Sequence, residues 1–114
     1  MSDCLFCAIA AGEIPADVVY ETETTMAFRD VNPQAPTHIL VIPRTHQENV
    51  AEVVQAGNAS AGELMATVTA VAKAAGLDTH GYRIVSNTGA SAGQSVFHCH
   101  IHVLGGRTMQ WPPG

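Results

Sequence analysis

Toward the end of the chain, within Val96-Phe97-His98-Cys99-His100-Ile101-His102-Val103-Leu104, apolar residues and imidazoles alternate strictly from Phe97 to Val103. In an extended chain that period turns His98, His100 and His102 to one side and Phe97, Cys99, Ile101 and Val103 to the other. The pattern predicts a strand over 96–104 with one face in a core and the other on a site, because a row of buried, unpartnered imidazoles is costly to desolvate. Upstream, the runs 18–21 and 25–29 read as strands, and 37–42 is β-branched and apolar enough for a central strand ended by Pro43. A further strand spans 82–87. The helical period comes next: Leu64, Val68, Val71 and Ala75 form one apolar stripe, opened by a capping box at Ser60-Ala61-Gly62-Glu63 and closed by Gly76. Residues 4–11 read as a short helix stopped by Gly12. The order helix, three strands, helix, two strands predicts an α+β fold: an antiparallel five-stranded sheet with one long and one short helix.

At 114 residues the chain is expected to form one domain. It has no run of about 18 or more apolar residues and no basic segment at its start, so neither a membrane span nor a signal peptide is read, and a cytoplasmic location is expected. Five Lys and Arg against ten Asp and Glu leave a net charge of −5, which argues against a nucleic-acid partner. A small anionic ligand held by local donors is compatible with that charge. Charged residues are only 13% of the chain, low for so small a domain, and an apolar surface reserved for self-association accounts for the deficit.

Neutral imidazole serves as nucleophile, base or metal ligand near pH 7, so three in one row mark a site without choosing among those roles. The segment 88–95 carries two glycines and small hydroxyl residues directly before the row, a composition that lets backbone N–H groups turn toward phosphate oxygens. Cys4-Leu5-Phe6-Cys7 has metal-ligand spacing, and the three cysteines fit a reducing compartment. By itself the pair reads equally as two small buried hydrophobes, and a closed tetrahedral site needs two further ligands.

The heptad His98-Cys99-His100-Ile101-His102-Val103-Leu104 resembles the signature of the histidine-triad (HIT) superfamily, His-x-His-x-His-x-x with apolar x. Phe28-Arg29-Asp30-Val31-Asn32-Pro33-Gln34-Ala35-Pro36-Thr37-His38, Gly93-Gln94-Ser95, Leu104-Gly105-Gly106-Arg107 and Trp111-Pro112-Pro113-Gly114 resemble its Hint branch, the purine nucleoside phosphoramidases. The resemblance implies that His100 attacks the α-phosphorus of a purine nucleoside 5′-phosphoramidate or acyl adenylate, forming a nucleotidyl-histidine that water hydrolyses, with no organic cofactor. It further implies Ser95 and His102 at the phosphate or leaving group and His38 in support of the triad. Asn87 and the Gly93-Gln94 backbone would hold phosphate oxygens, and Asp30 the ribose hydroxyls. Phe6, Ile9, Phe28, Val31 and Leu40 would form an apolar slot for the base, with Val96 among the nucleotide contacts. Asp30 also reads as a turn former before Asn32-Pro33.

The cysteine pair departs from the Hint members that lack it and resembles the zinc-carrying members, which implies a structural zinc on Cys4, Cys7, His46 and His98. A homodimer is implied too, with the tail 107–114 reaching toward the partner's site. Three other activities fit the same residues: a dinucleoside polyphosphate hydrolase or nucleotidyl transferase, a nucleotide-binding adaptor without turnover, and a metalloenzyme using all three triad histidines as ligands.

Overall fold

The computed structural model describes residues 3–114. Five strands, β1 (Val18–Glu21), β2 (Thr25–Arg29), β3 (Thr37–Pro43), β4 (Tyr82–Val85) and β5 (Ile101–Gly105), form one antiparallel sheet in the order β1-β2-β3-β5-β4. The middle strand β3 is covered on both faces, which is why its apolar run lacks the polar alternation of a half-exposed strand. On one face Ile39 and Val41, with Ile101 and Val103 of β5, pack on two helices, α2 (Val50–Gln55) and α3 (Asn58–Ala74), through Val53, Leu64, Val68, Val71 and Ala72. On the other, Leu40 and Ile42 meet Phe6 and Ile9 of α1 (Leu5–Ala10), with Met26 and Phe28 from β2.

The sheet, the long helix α3 and the short helix α1 are as the pattern predicts; α2 is an additional short helix. Its signal is in the sequence: Asn49 is the N-cap and its side chain accepts a bond from the N–H of Glu52 at 3.1 Å, while Glu52 reaches back to the N–H of Glu48 at 2.8 Å. The long helix starts at Asn58, two residues before the expected capping box. Its N-cap is Gly57, which at φ +132° makes the turn out of α2 and offers no capping side chain, so Ser60 and Glu63 lie inside the helix.

The strand expected over 96–104 begins only at Ile101. Ile101 pairs with Val41, and extending the ladder would set Cys99 opposite Pro43, which has no N–H to donate. The segment before β5 bonds to the loop after β3 instead: the Cys99 N–H donates to the Gln47 carbonyl at 2.6 Å, and Gln94 Nε2 to the Glu48 carbonyl at 2.6 Å. Cys99, Ile101 and Val103 still enter the core, whereas Phe97 does not and is 47% exposed. Among the described residues no helix is long and apolar enough to cross a membrane.

Candidate active site

Leu40 of β3 lies opposite His102 of β5, and His38 opposite Leu104, so His38 and His102 project from adjacent strands toward the α1 side of the sheet. Their rings meet at 2.9 Å between His38 Nε2 and His102 Nδ1. The partners assign the tautomers. His38 Nδ1 accepts the Gln34 N–H at 3.0 Å, so the neutral ring carries its proton on Nε2 and donates it to His102 Nδ1. His102 must then hold its own proton on Nε2. His100 Nδ1 donates to the carbonyl oxygen of His98 at 2.8 Å, which leaves the lone pair of the neutral ring on Nε2. The His100 and His102 rings stand 5.0 Å apart, centre to centre.

Burial holds the His38 and His102 rings neutral. It is the main cause pushing the His102 pKa down to about 4, reinforced by the neighbouring His100 and His38 and opposed by Asp30. Burial likewise lowers His38 below the ordinary value, against the pull of Asp30, whose Oδ2 lies 3.4 Å from His38 Nε2. Asp30 Oδ1 accepts the Asn32 N–H at 2.8 Å, closing the turn expected before Asn32-Pro33, and the residue forms part of a cavity wall.

That cavity, about 640 Å³, lies between α1 and the C-terminal end of β2, a size suited to a small organic ligand. Phe6, Ile9, Phe28, Val31 and Leu40, the expected apolar slot, line it together with Val96, Val31 as a fully exposed lip. Sequence reasoning missed Leu5, Ile14, Pro15 and Ala16, and the Arg29 and Asp17 pair, 3.4 Å apart, that also lines it. The apolar character of the Ile14-Pro15-Ala16 turn was the available signal.

The remaining expected contacts sit on the loop leading to the histidines. Asn87 comes close to Gly93, its Nδ2 3.8 Å from where a Cβ on that glycine would stand. Gln94 is buried with its side chain turned inward, accepting from the Gly89 N–H at 2.8 Å and bracing the Glu48 carbonyl, while its own N–H donates to the Gly89 carbonyl at 3.1 Å and that of Gly93 to the Ala90 carbonyl at 3.0 Å, so both expected phosphate donors are engaged within the loop. Ser95 is exposed and lines a separate shallow cavity beside Cys4, His46 and Phe97 rather than the apolar one. Trp111 in the tail is 81% exposed, with the Arg83 guanidinium 5.9 Å from its ring centre.

His98 parts company with the other two histidines. Fully buried, it donates from Nε2 to the Pro43 carbonyl at 2.8 Å, which turns the Nδ1 lone pair toward Cys4 Sγ at 3.3 Å and Cys7 Sγ at 3.5 Å. His46, carried on the loop after β3, places Nδ1 3.4 Å from Cys7 Sγ. The four ligand atoms lie within 4.8 Å of one another. Metal–sulfur and metal–nitrogen bonds of about 2.3 and 2.1 Å at tetrahedral angles put sulfur and nitrogen roughly 3.6 Å apart, so the donor set fits zinc. Burial, ahead of a raising bond from Pro43 and the lowering charges of His46 and His100, keeps the His98 pKa low and its lone pair available. Asp30, His38 and His102 also gather within ligand distance, but the proton that His38 must keep on Nε2 makes them a poor metal set. A metalloenzyme reading needs all three triad rings on one ion, and the rings do not converge: His98 faces the thiols, His100 the His98 carbonyl and His102 His38.

The HIT domain model matches residues 11–109. The chain is 54% identical over 112 residues to an uncharacterized HIT-like protein of Synechococcus elongatus, covering 98% of this chain and 97% of that one. It is 49% identical over 115 residues to the 14 kDa zinc-binding protein of Zea mays, covering 99% and 89% of the two chains. The crystal structure of a HIT family hydrolase from Legionella pneumophila superposes with a TM-score of 0.93 at 47% identity, over 98% of this chain and all of that one. With the histidine pattern, the sheet and these relatives in agreement along nearly its whole length, this chain belongs to the HIT domain family.

Proposed function

We propose that this protein is a nucleotide-binding hydrolase of the Hint type, cleaving the P–N bond of purine nucleoside 5′-phosphoramidates or the P–O bond to the acyl group in the corresponding acyl adenylates. The observation that carries the reading is the tautomer of His100: with Nδ1 committed to the His98 carbonyl, Nε2 is the nucleophilic atom of a neutral imidazole. In the first step Nε2 bonds to the α-phosphorus and the P–N bond to the amine breaks, its electron pair leaving on a nitrogen that takes a proton from solvent; from an acyl adenylate the carboxylate leaves with the P–O electron pair and needs no proton. In the second, water attacks the same phosphorus and gives up a proton to solvent, and the P–N bond to His100 breaks, restoring the free ring. His102, neutral and protonated on Nε2, donates to a phosphoryl oxygen, and His38 keeps it in that tautomer. Ser95 serves the leaving group and Asp30 the ribose hydroxyls; Asn87 serves the phosphate together with the Gly93-Gln94 backbone, whose N–H groups exchange their loop carbonyls for phosphate oxygens on binding. The base occupies the apolar cavity of Phe6, Ile9, Phe28, Val31, Leu40 and Val96.

Zinc on Cys4, Cys7, His46 and His98, supported by the donor geometry and by the name of the maize relative, is structural: four protein ligands leave no open position. No organic cofactor enters the reaction. A homodimer is supported by the exposed apolar side chains Val54, Met65 and Ile84 and by Trp111, whose ring has little cover within its own chain. Replacement of His100 with alanine tests the assignment. Phosphoramidase turnover should fall by more than about tenfold, the equivalent of 1.4 kcal/mol, while calorimetric AMP affinity persists. Retention of more than about a tenth of the wild-type rate refutes the nucleophile.

A further inference from the structure

We propose that metal at Cys4, Cys7, His46 and His98 and nucleotide in the apolar cavity bind with positive cooperativity, helix α1 and the side chain of Phe6 forming the link between them. The inference rests on the metal and nucleotide readings above and adds a coupling that neither requires.

Helix α1 has six residues, well under the roughly 12 that an isolated helix needs to persist in water, so its order comes from what holds it. At its start Cys4 Sγ accepts the Cys7 N–H at 3.3 Å, and at its end Arg44 Nη1 donates to the Ala10 carbonyl at 3.3 Å. Its residues divide between the two sites: Cys4 and Cys7 belong to the metal set, while Leu5, Phe6 and Ile9 wall the cavity. Phe6 stands between them, 5% exposed. Its ring packs edge-on against Phe28 of the cavity wall at 5.4 Å, His98 of the metal set at 6.0 Å and His100 at 5.1 Å.

A second connection runs through the backbone. The ring of His98 faces the thiols while its carbonyl accepts the Nδ1–H of His100, so the residue that offers a nitrogen to metal also orients the nucleophile. An ion that fixes Cys4, Cys7 and His98 therefore orders the helix and the peptide that nucleotide binding otherwise has to order for itself. Binding free energies are reciprocal, and nucleotide must tighten metal by the same factor that metal tightens nucleotide.

The test starts from the zinc-loaded protein and titrates a chelator with and without saturating AMP, reading zinc release. AMP should tighten zinc by about fivefold to tenfold, within the range of ordinary coupling, and calorimetry should give the same ratio between AMP dissociation constants of zinc-free and zinc-loaded protein. Equal zinc affinity in the two titrations overturns the coupling while leaving both sites standing. Phe6→Leu keeps all four metal ligands but alters the cavity wall, so it should weaken AMP in both the zinc-free and the zinc-loaded protein; the readout is the ratio of the two AMP dissociation constants, which should fall most of the way to one, and if the full factor survives, Phe6 is not the link. The same variant separates local ordering from the trivial case in which chelation unfolds the chain, since unfolding couples the ligands with or without the phenyl ring. Failure of the wild type to bind zinc at all, or of the loaded protein to bind AMP, removes the corresponding reading and the coupling with it.

Discussion

Acidification should destabilise this fold through His102 before the carboxylates titrate. The folded ring takes a proton only near pH 4, whereas the same ring in the unfolded chain takes it near 6.5. Between those values the unfolded state binds more protons, so stability is complete above about pH 6.5, falls as the pH drops toward 4 and levels off below. The sign is the reverse of that for a histidine that gains an acidic partner, because burial outweighs Asp30. At about 1.4 kcal/mol per pH unit the ceiling is about 3 kcal/mol, and solvent screening at a ring that is only partly buried reduces the expected loss to about 1–2 kcal/mol. Urea unfolding of the wild type and of His102→Asn at pH 7, 6, 5 and 4.5 isolates the effect. Asparagine keeps an acceptor for His38 and does not titrate, and changes common to both proteins, such as metal release, cancel in the difference. The wild type should lose its advantage by about 1–2 kcal/mol from pH 7 to 4.5. A difference that does not vary with pH, or a His102 ring proton resonance titrating near 6.5, refutes the reasoning.

Cys4→Ser should reduce bound zinc from about one ion per chain to none by elemental analysis. It should also lower Tm by roughly 4 °C or more for each kcal/mol of metal stabilisation lost. Gly106 has φ +90°, and a Cβ there would stand 2.9 Å from Pro36 Cβ, so Gly106→Ala should cost about 1–3 kcal/mol in the urea midpoint. Deleting residues 109–114 should alter preference among amine leaving groups more than AMP affinity. Unchanged preference, or a monomer in sedimentation at micromolar concentration, removes the cross-subunit role of the tail.

The sheet and its central strand were legible because β3 must satisfy two cores at once, and only a continuous apolar run does so. The histidine row was legible as chemistry but misread as geometry. Its period of two survives, yet Pro43 stops the ladder at Ile101, and His98 and His100 sit on a loop whose path is set by backbone bonds to Gln47 and Glu48. The metal set needed His46, which spacing alone cannot pair with Cys4 and Cys7; the family pattern named it, and the loop after β3 brings it there. The Asp17 and Arg29 pair at the cavity carries no local signal, since both residues read as ordinary surface charges until β1 and β2 bring them together.

Because β3 is bonded along both edges and covered on both faces, its amides should exchange with deuterium only when the whole molecule opens, whereas those of the six-residue α1 and of the edge strand β4 exchange through local fraying. His38 is thus anchored in the slowest-exchanging element and Phe6 in one of the fastest. The imidazole pair should therefore keep its alignment on a timescale over which the cavity wall opens many times, and a ligand of the cavity should enter or leave past the helix without disturbing the strands that hold His38 and His102.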